Sequence, residues 1–114
     1  MPPPPVDRLP LSVPVFHILL SLADGDSHGY AIIQATAQRT AGEVRLTAST
    51  LYGAVARMLE AQLIEERAPE SGQARRRNYR LTRTGRLLLR AEAERLQRTV
   101  GWARGKGVLS RKPS

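Results

Sequence analysis

Apolar positions fall into four blocks at helical spacing, with two short extended runs between the third and the fourth. The first block, residues 12–24 (SVPVFHILLSLAD), places Val15, Phe16, Ile18, Leu19, Leu20 and Leu22 around most of a helical circumference. That pattern predicts a helix buried on most sides. Ser12 and Pro14 supply its start signals. GDSHG (25–29) interrupts the pattern, and Ser27 is the expected cap of a second helix over 28–40 carrying Tyr30, Ile32, Ile33 and Ala37. AGEVRL (41–46) reads as a Gly turn followed by a very short strand.

Thr47 is expected to cap a third helix reaching about Gln62. At 100° per residue, Leu51, Val55, Met58 and Leu59 share one face, while Ser49, Gly53, Ala56, Arg57 and Glu60 lie opposite. Its outer face is small and polar near the start, a shape suited to close approach. LIEERAPE (63–70) and RRRNYRLT (75–82) flank SGQA (71–74) and predict a β-hairpin, with Tyr79 and Leu81 on one side and Asn78 and Arg80 on the other. Thr82 or Thr84 opens a long helix over roughly 83–104, along which Leu89, Ala93, Leu96, Val100 and Ala103 form a heptad-like stripe.

The fold class is therefore mainly α with a small β-hairpin: a winged helix-turn-helix plus a long C-terminal dimerisation helix. Residues 1–10 (MPPPPVDRLP) read as a disordered, Pro-rich arm, 11–82 as the DNA-binding domain, 83–104 as the dimerisation helix and 105–114 as a flexible tail.

Charge narrows the choice of partner. Eighteen Lys and Arg stand against ten Asp and Glu in 114 residues, a net +8 that points to a polyanion, with nucleic acid ahead of a membrane surface. The excess of Arg suits phosphates and base edges, although a GC-rich genome also produces it. RRRNYRLTRTGRLLLR (75–90) alone carries seven arginines and no acid. The absence of cysteine excludes disulfides, zinc thiolates and thiol catalysis, and agrees with a cytoplasmic location. The apolar run 13–23 is too short to span a bilayer, and the first ten residues lack the features of a signal peptide. With two unpartnered histidines, no Gly-rich phosphate loop and no clustered carboxylate pair, no enzyme activity, metal or cofactor is expected.

FHILLSLADGDSHGYAII (16–33), GEVRLTASTLYGAVARMLEAQLIEE (42–66) and RRRNYRLTRTGRLLL (75–89) together resemble the PadR family of bacterial transcriptional regulators. The resemblance rests on His-Gly-Tyr entering helix 2, Thr-Leu-Tyr in the recognition helix, and Tyr-x-Leu-Thr-x-x-Gly after the wing. It implies a dimeric winged-helix DNA binder, usually a repressor. A single C-terminal helix resembles the short branch of the family. RLTAST (45–50) departs from the Gly or Pro that many members carry ahead of Thr-Leu-Tyr.

Site expectations follow. Ser49 and Thr50 occupy the first turn of the recognition helix, and Arg57 is the candidate base reader, bidentate to a guanine; the alternative is a surface Arg paired with Glu60 or Glu43. The resemblance implies phosphate contacts from Tyr30, Thr50 and Tyr52, against which simple packing of either tyrosine remains open. Arg75, Arg76 and Arg77 would lean on the backbone or the minor groove from the wing. Phe16, Leu89, Leu96 and Val100 are the candidate dimer interface; a helix folded wholly back on its own domain is the alternative. Trp102 either packs in that interface or contacts a small aromatic effector. His28 reads as a local cap or turn residue, and His17 as a core or interface residue. The partners expected are double-stranded DNA with a palindromic operator, a second copy of the chain and a small aromatic effector. A different class of function, a winged helix docking an acidic protein partner, fits the same charge.

Overall fold

A computed structural model describes residues 8–67 and 77–110. Its elements follow in the order α1 (Val13–Ser21), β1 (Ser27–His28), α2 (Gly29–Arg39), α3 (Ala48–Glu60), β2 (Ile64–Arg67), β3 (Asn78–Leu81) and α4 (Arg83–Gly105). Residues 1–7 of the Pro-rich arm read over 1–10, residues 68–76 with the wing turn SGQA and Arg75 and Arg76, and residues 111–114 of the tail lie outside the described residues.

Each helix starts where a side chain can satisfy a backbone N–H that the helix leaves without a partner. Ser12 Oγ accepts from the Val15 amide at 3.3 Å, Thr47 Oγ1 from Thr50 at 3.1 Å and Thr82 Oγ1 from Gly85 at 3.0 Å. Thr82 rather than Thr84 therefore starts α4. The cap of α2 is not Ser27. His28 holds that position, its Nδ1 accepting from the Ala31 amide at 3.3 Å, while Ser27 belongs to β1.

The sheet runs in the order β1-β3-β2, antiparallel throughout. Ile64 lies opposite Leu81, Glu65 opposite Arg80 and Glu66 opposite Tyr79, so the hairpin alternation read from the sequence holds. Its third strand differs from expectation. Residues 44–46 form no strand, because the Val44 amide donates to Thr40 Oγ1 at 3.0 Å instead of to a ladder. The free edge of β3 pairs with Ser27–His28.

The four helices and the sheet close around one core: Ile18, Leu19 and Leu22 from α1 and its end, Ile32 from α2, Leu51, Ala54, Val55 and Met58 from α3, Ile64 and Tyr79 from the sheet, and Leu88 and Leu89 from α4. Two polar clusters lace this core together. Arg39 Nη2 of α2 reaches the His17 carbonyl and Ser21 Oγ, both at 3.3 Å, and His17 Nδ1 at 3.2 Å, tying α2 to α1. Glu92, only 2% exposed, accepts from the Leu11 amide at 2.8 Å and from Arg95. The Arg95 bond holds the Glu92 carboxyl below its ordinary pKa despite burial, with the Leu11 amide adding to the effect. A carboxylate buried this deeply stays charged only because it is hydrogen-bonded and paired.

At Gly85, a β-carbon would stand 1.9 Å from the Leu63 carbonyl oxygen, so α4 begins pressed against the backbone that leaves α3. Thr82 reinforces the junction: its hydroxyl donates to the Gln62 carbonyl at 2.6 Å and its amide to the Leu63 carbonyl at 3.1 Å. The Thr-x-x-Gly motif is thus a helix cap and a weld in one.

Candidate nucleic-acid interface

The two helices of the helix-turn-helix, α2 and α3, meet closely because Gly29 has no side chain. A β-carbon there would lie 2.5 Å from the Tyr52 hydroxyl and 2.8 Å from Leu51 Cδ2. The three residues of His-Gly-Tyr consequently play separate parts. His28 caps α2, Gly29 admits α3, and Tyr30 stands 63% exposed. Tyr52, half exposed, leans its hydroxyl toward the start of α2. Both tyrosines thus keep access to solvent, as a phosphate contact requires, and Tyr52 also packs.

The amphipathic division of α3 agrees with the sequence reading. Leu51, Ala54, Val55 and Met58 are buried; Ser49, Thr50, Gly53, Ala56, Arg57 and Glu60 are exposed. A β-carbon at Gly53 would meet only Arg57 Nη1, at 3.8 Å. Thr47 Oγ1 donates to Thr50 Oγ1 at 3.0 Å, which leaves the Thr50 hydroxyl hydrogen available to another acceptor. Among the described residues Arg57 pairs with neither Glu60 nor Glu43.

The hairpin carries less free charge than its sequence suggests. Arg80 pairs across the strands with Glu65, Arg77 with Glu66 at 3.5 Å, and Arg67 of β2 with Asp26 at 3.6 Å. Farther along the arginine-rich stretch, Arg90 pairs with Glu94 at 3.9 Å and Arg86 donates to the Ala23 carbonyl at 3.2 Å. Arg83, the remaining described cation of that stretch, is exposed and forms no ion pair among the described residues. Exposed pairs such as Arg77–Glu66 are worth about 1 kcal/mol or less, so a phosphate can displace the glutamate. Tyr79 lies 2% exposed beneath these charges. Burial pushes its hydroxyl above the ordinary 10, with Glu66 and Tyr52 adding to the shift and Arg77 opposing it, and it stays protonated.

The residues read as a dimer surface divide in two. Leu89 is 7% exposed within the domain's own core and offers little to a second copy, and Phe16 packs half-buried against the same core. Leu96 is half-buried, whereas Val100 and Trp102 are exposed where α4 runs past the body, Trp102 by 68%. Glu92 escaped the sequence reading, though its spacing held a signal: it lies four residues from both Leu88 and Leu96, a carboxylate on an apolar stripe. Among the described residues no helix is long and apolar enough to cross a membrane.

Comparison with known proteins agrees with this geometry. Over 84 residues the chain is 42% identical to an uncharacterized 37.1 kDa protein in transposon TN4556 of Streptomyces fradiae, covering 74% of this chain but 23% of that protein. A PadR family transcription regulator from Clostridium difficile R20291 superposes with a TM-score of 0.70 at 26% identity, over 82% of this chain and 97% of its own. Bacillus subtilis PadR in complex with operator DNA shares the fold, with a TM-score of 0.62 at 23% identity over 72% of this chain and 47% of that one. The profile of the transcriptional regulator PadR-like family matches residues 18–91, through both helices of the helix-turn-helix, the wing strands and the start of α4, and the chain belongs to that family.

Proposed function

We propose that the chain is a sequence-specific DNA-binding repressor that acts as a homodimer. The observation that carries this reading is the outer face of α3, where Ser49, Gly53 and Ala56 leave the helix nearly bare and Arg57 stands beside them, paired with no acid among the described residues. A helix so stripped fits deep in the major groove, and an unpaired guanidinium at its flank suits the O6/N7 edge of a guanine. Ser49 and Thr50 meet DNA at the first turn, Tyr30 and Tyr52 grip phosphates, and the wing arginines Arg75, Arg76 and Arg77 follow the backbone. That operator DNA is bound by the Bacillus subtilis PadR of like fold supports the assignment.

Dimerisation runs through Leu96, Val100 and the exposed end of α4, with Leu89 and Phe16 buttressing it from within. Release by a small molecule completes the reading, and Trp102 offers a flat face to an aromatic effector. Selection of bound sequences from random DNA tests the proposal. The expected result is a palindrome whose half-sites lie one helical turn, about 34 Å, apart. Recovery of no preferred sequence from a folded chain would sink it.

A further inference from the structure

Beside Leu88 of α4 a cavity of about 220 Å³ opens toward α1 and α3. Leu11, Val15, Met58, Leu63 and Leu88 give it an aliphatic floor. Ser12 and two arginines complete the lining, Arg8 from the segment before α1 and Arg57 from α3. Both are exposed, and neither forms an ion pair among the described residues. The acid that anchors this region, Glu92, is already committed to the Leu11 amide and to Arg95, so it does not neutralise them. An apolar recess flanked by two arginines that have no ion pair among the described residues, drawn from segments 49 residues apart in sequence, suits an amphipathic anion.

We propose that this cavity binds a small aliphatic carboxylate, its tail among Val15, Met58 and Leu88 and its head between Arg8 and Arg57. The recess is small, about 220 Å³, and suits a short tail. No aromatic side chain lines the recess, so nothing there selects a ring by stacking. The regulatory consequence rests on the reading of Arg57 as a DNA contact. One guanidinium then serves two partners, and by linkage ligand and DNA must each weaken the binding of the other.

Calorimetric titration of the full chain with hexanoate tests the site, with acetate and 1-hexanol as partners lacking the tail or the charge. We expect saturable one-to-one binding of hexanoate, weaker by about tenfold or more for either control and for Arg8→Ala or Arg57→Ala, the effect of losing a charged hydrogen bond. Arg90→Ala should bind hexanoate like the parent chain. Saturating hexanoate should weaken binding to the selected DNA, and Arg8→Ala, which leaves Arg57 in place, should abolish that antagonism. Non-saturable heat, equal binding of 1-hexanol, or undiminished binding by either arginine variant would overturn the site. Antagonism absent while hexanoate binds would overturn the shared use of Arg57. A chain that bound no DNA at all would remove the repressor reading alone, since the titration decides the site without DNA.

Discussion

At Gly85 a β-carbon would stand 1.9 Å from a backbone oxygen, whereas at Gly53 it would find only a movable guanidinium at 3.8 Å. The same substitution should therefore have opposite effects at the two positions. Gly85→Ala forces α4 off the Leu63 carbonyl and should cost about 3 kcal/mol in a denaturant melt. Gly53→Ala should raise stability by about 0.5–1 kcal/mol, the helix propensity gained, while weakening DNA binding in a gel shift because the added methyl occupies the face proposed to enter the groove. Unchanged DNA affinity in this more stable variant would place the α3 face elsewhere. Arg57→Ala should relax preference at one operator position, at about 1–3 kcal/mol, as read by repeating the sequence selection. Both glycines were visible in the sequence, but only Gly53 declared its role, through its place on the polar side of α3. The need for Gly85 comes from Leu63, twenty-two residues away, and no local pattern carries it.

Between elements, the hairpin holds its own counterions. Glu65 opposite Arg80 and Glu66 near Arg77 compete with any phosphate that approaches. Glu65→Gln with Glu66→Gln should tighten DNA binding and steepen its salt dependence by about 0.9 in log–log slope per arginine released to a phosphate. Stability should change by about 0.5 kcal/mol or less, as is usual for such exposed pairs. The caps Ser12 and Thr47, the two faces of α3 and the strand alternation were all legible because each signal lies within one turn or one strand, whereas the sequence left Thr82 and Thr84 as equal candidates for the cap of α4. β1 was not, since a two-residue strand has no period to detect and owes its existence to the open edge of β3.

The junctions between elements also respond to acid, in two steps. Burial, aided by Arg39, holds the His17 ring below its ordinary 6.5. The unfolded chain then takes up this proton more readily than the folded one, so stability is complete above about pH 6.5 and falls below it. Glu92 is held below its ordinary 4.5, so its contribution persists above that value and is lost at lower pH. Denaturant midpoints at decreasing pH should show both losses. His17→Gln should remove the first and Glu92→Gln the second.

For the molecule as a whole, the proposed dimer sets the magnitudes. If each subunit neutralises about four phosphates, a dimer should lose affinity with salt at a log–log slope of about −7. Leu96→Asp should give monomers by sedimentation velocity; a persistent dimer would move the seam away from the middle of α4. The Thr82–Gly85 weld has a mechanical consequence beyond packing. It ties the root of α4 to the end of α3 by two hydrogen bonds and a close backbone contact, so a tilt of α4 would carry the end of α3 with it. With 23 residues α4 is about 35 Å long, and swinging its tip through about 5° sweeps ~3 Å, close to the ~3.4 Å stacking distance of successive bases. In the proposed dimer, a tilt of that size would shift each recognition helix by about one base step, too little to disturb either core.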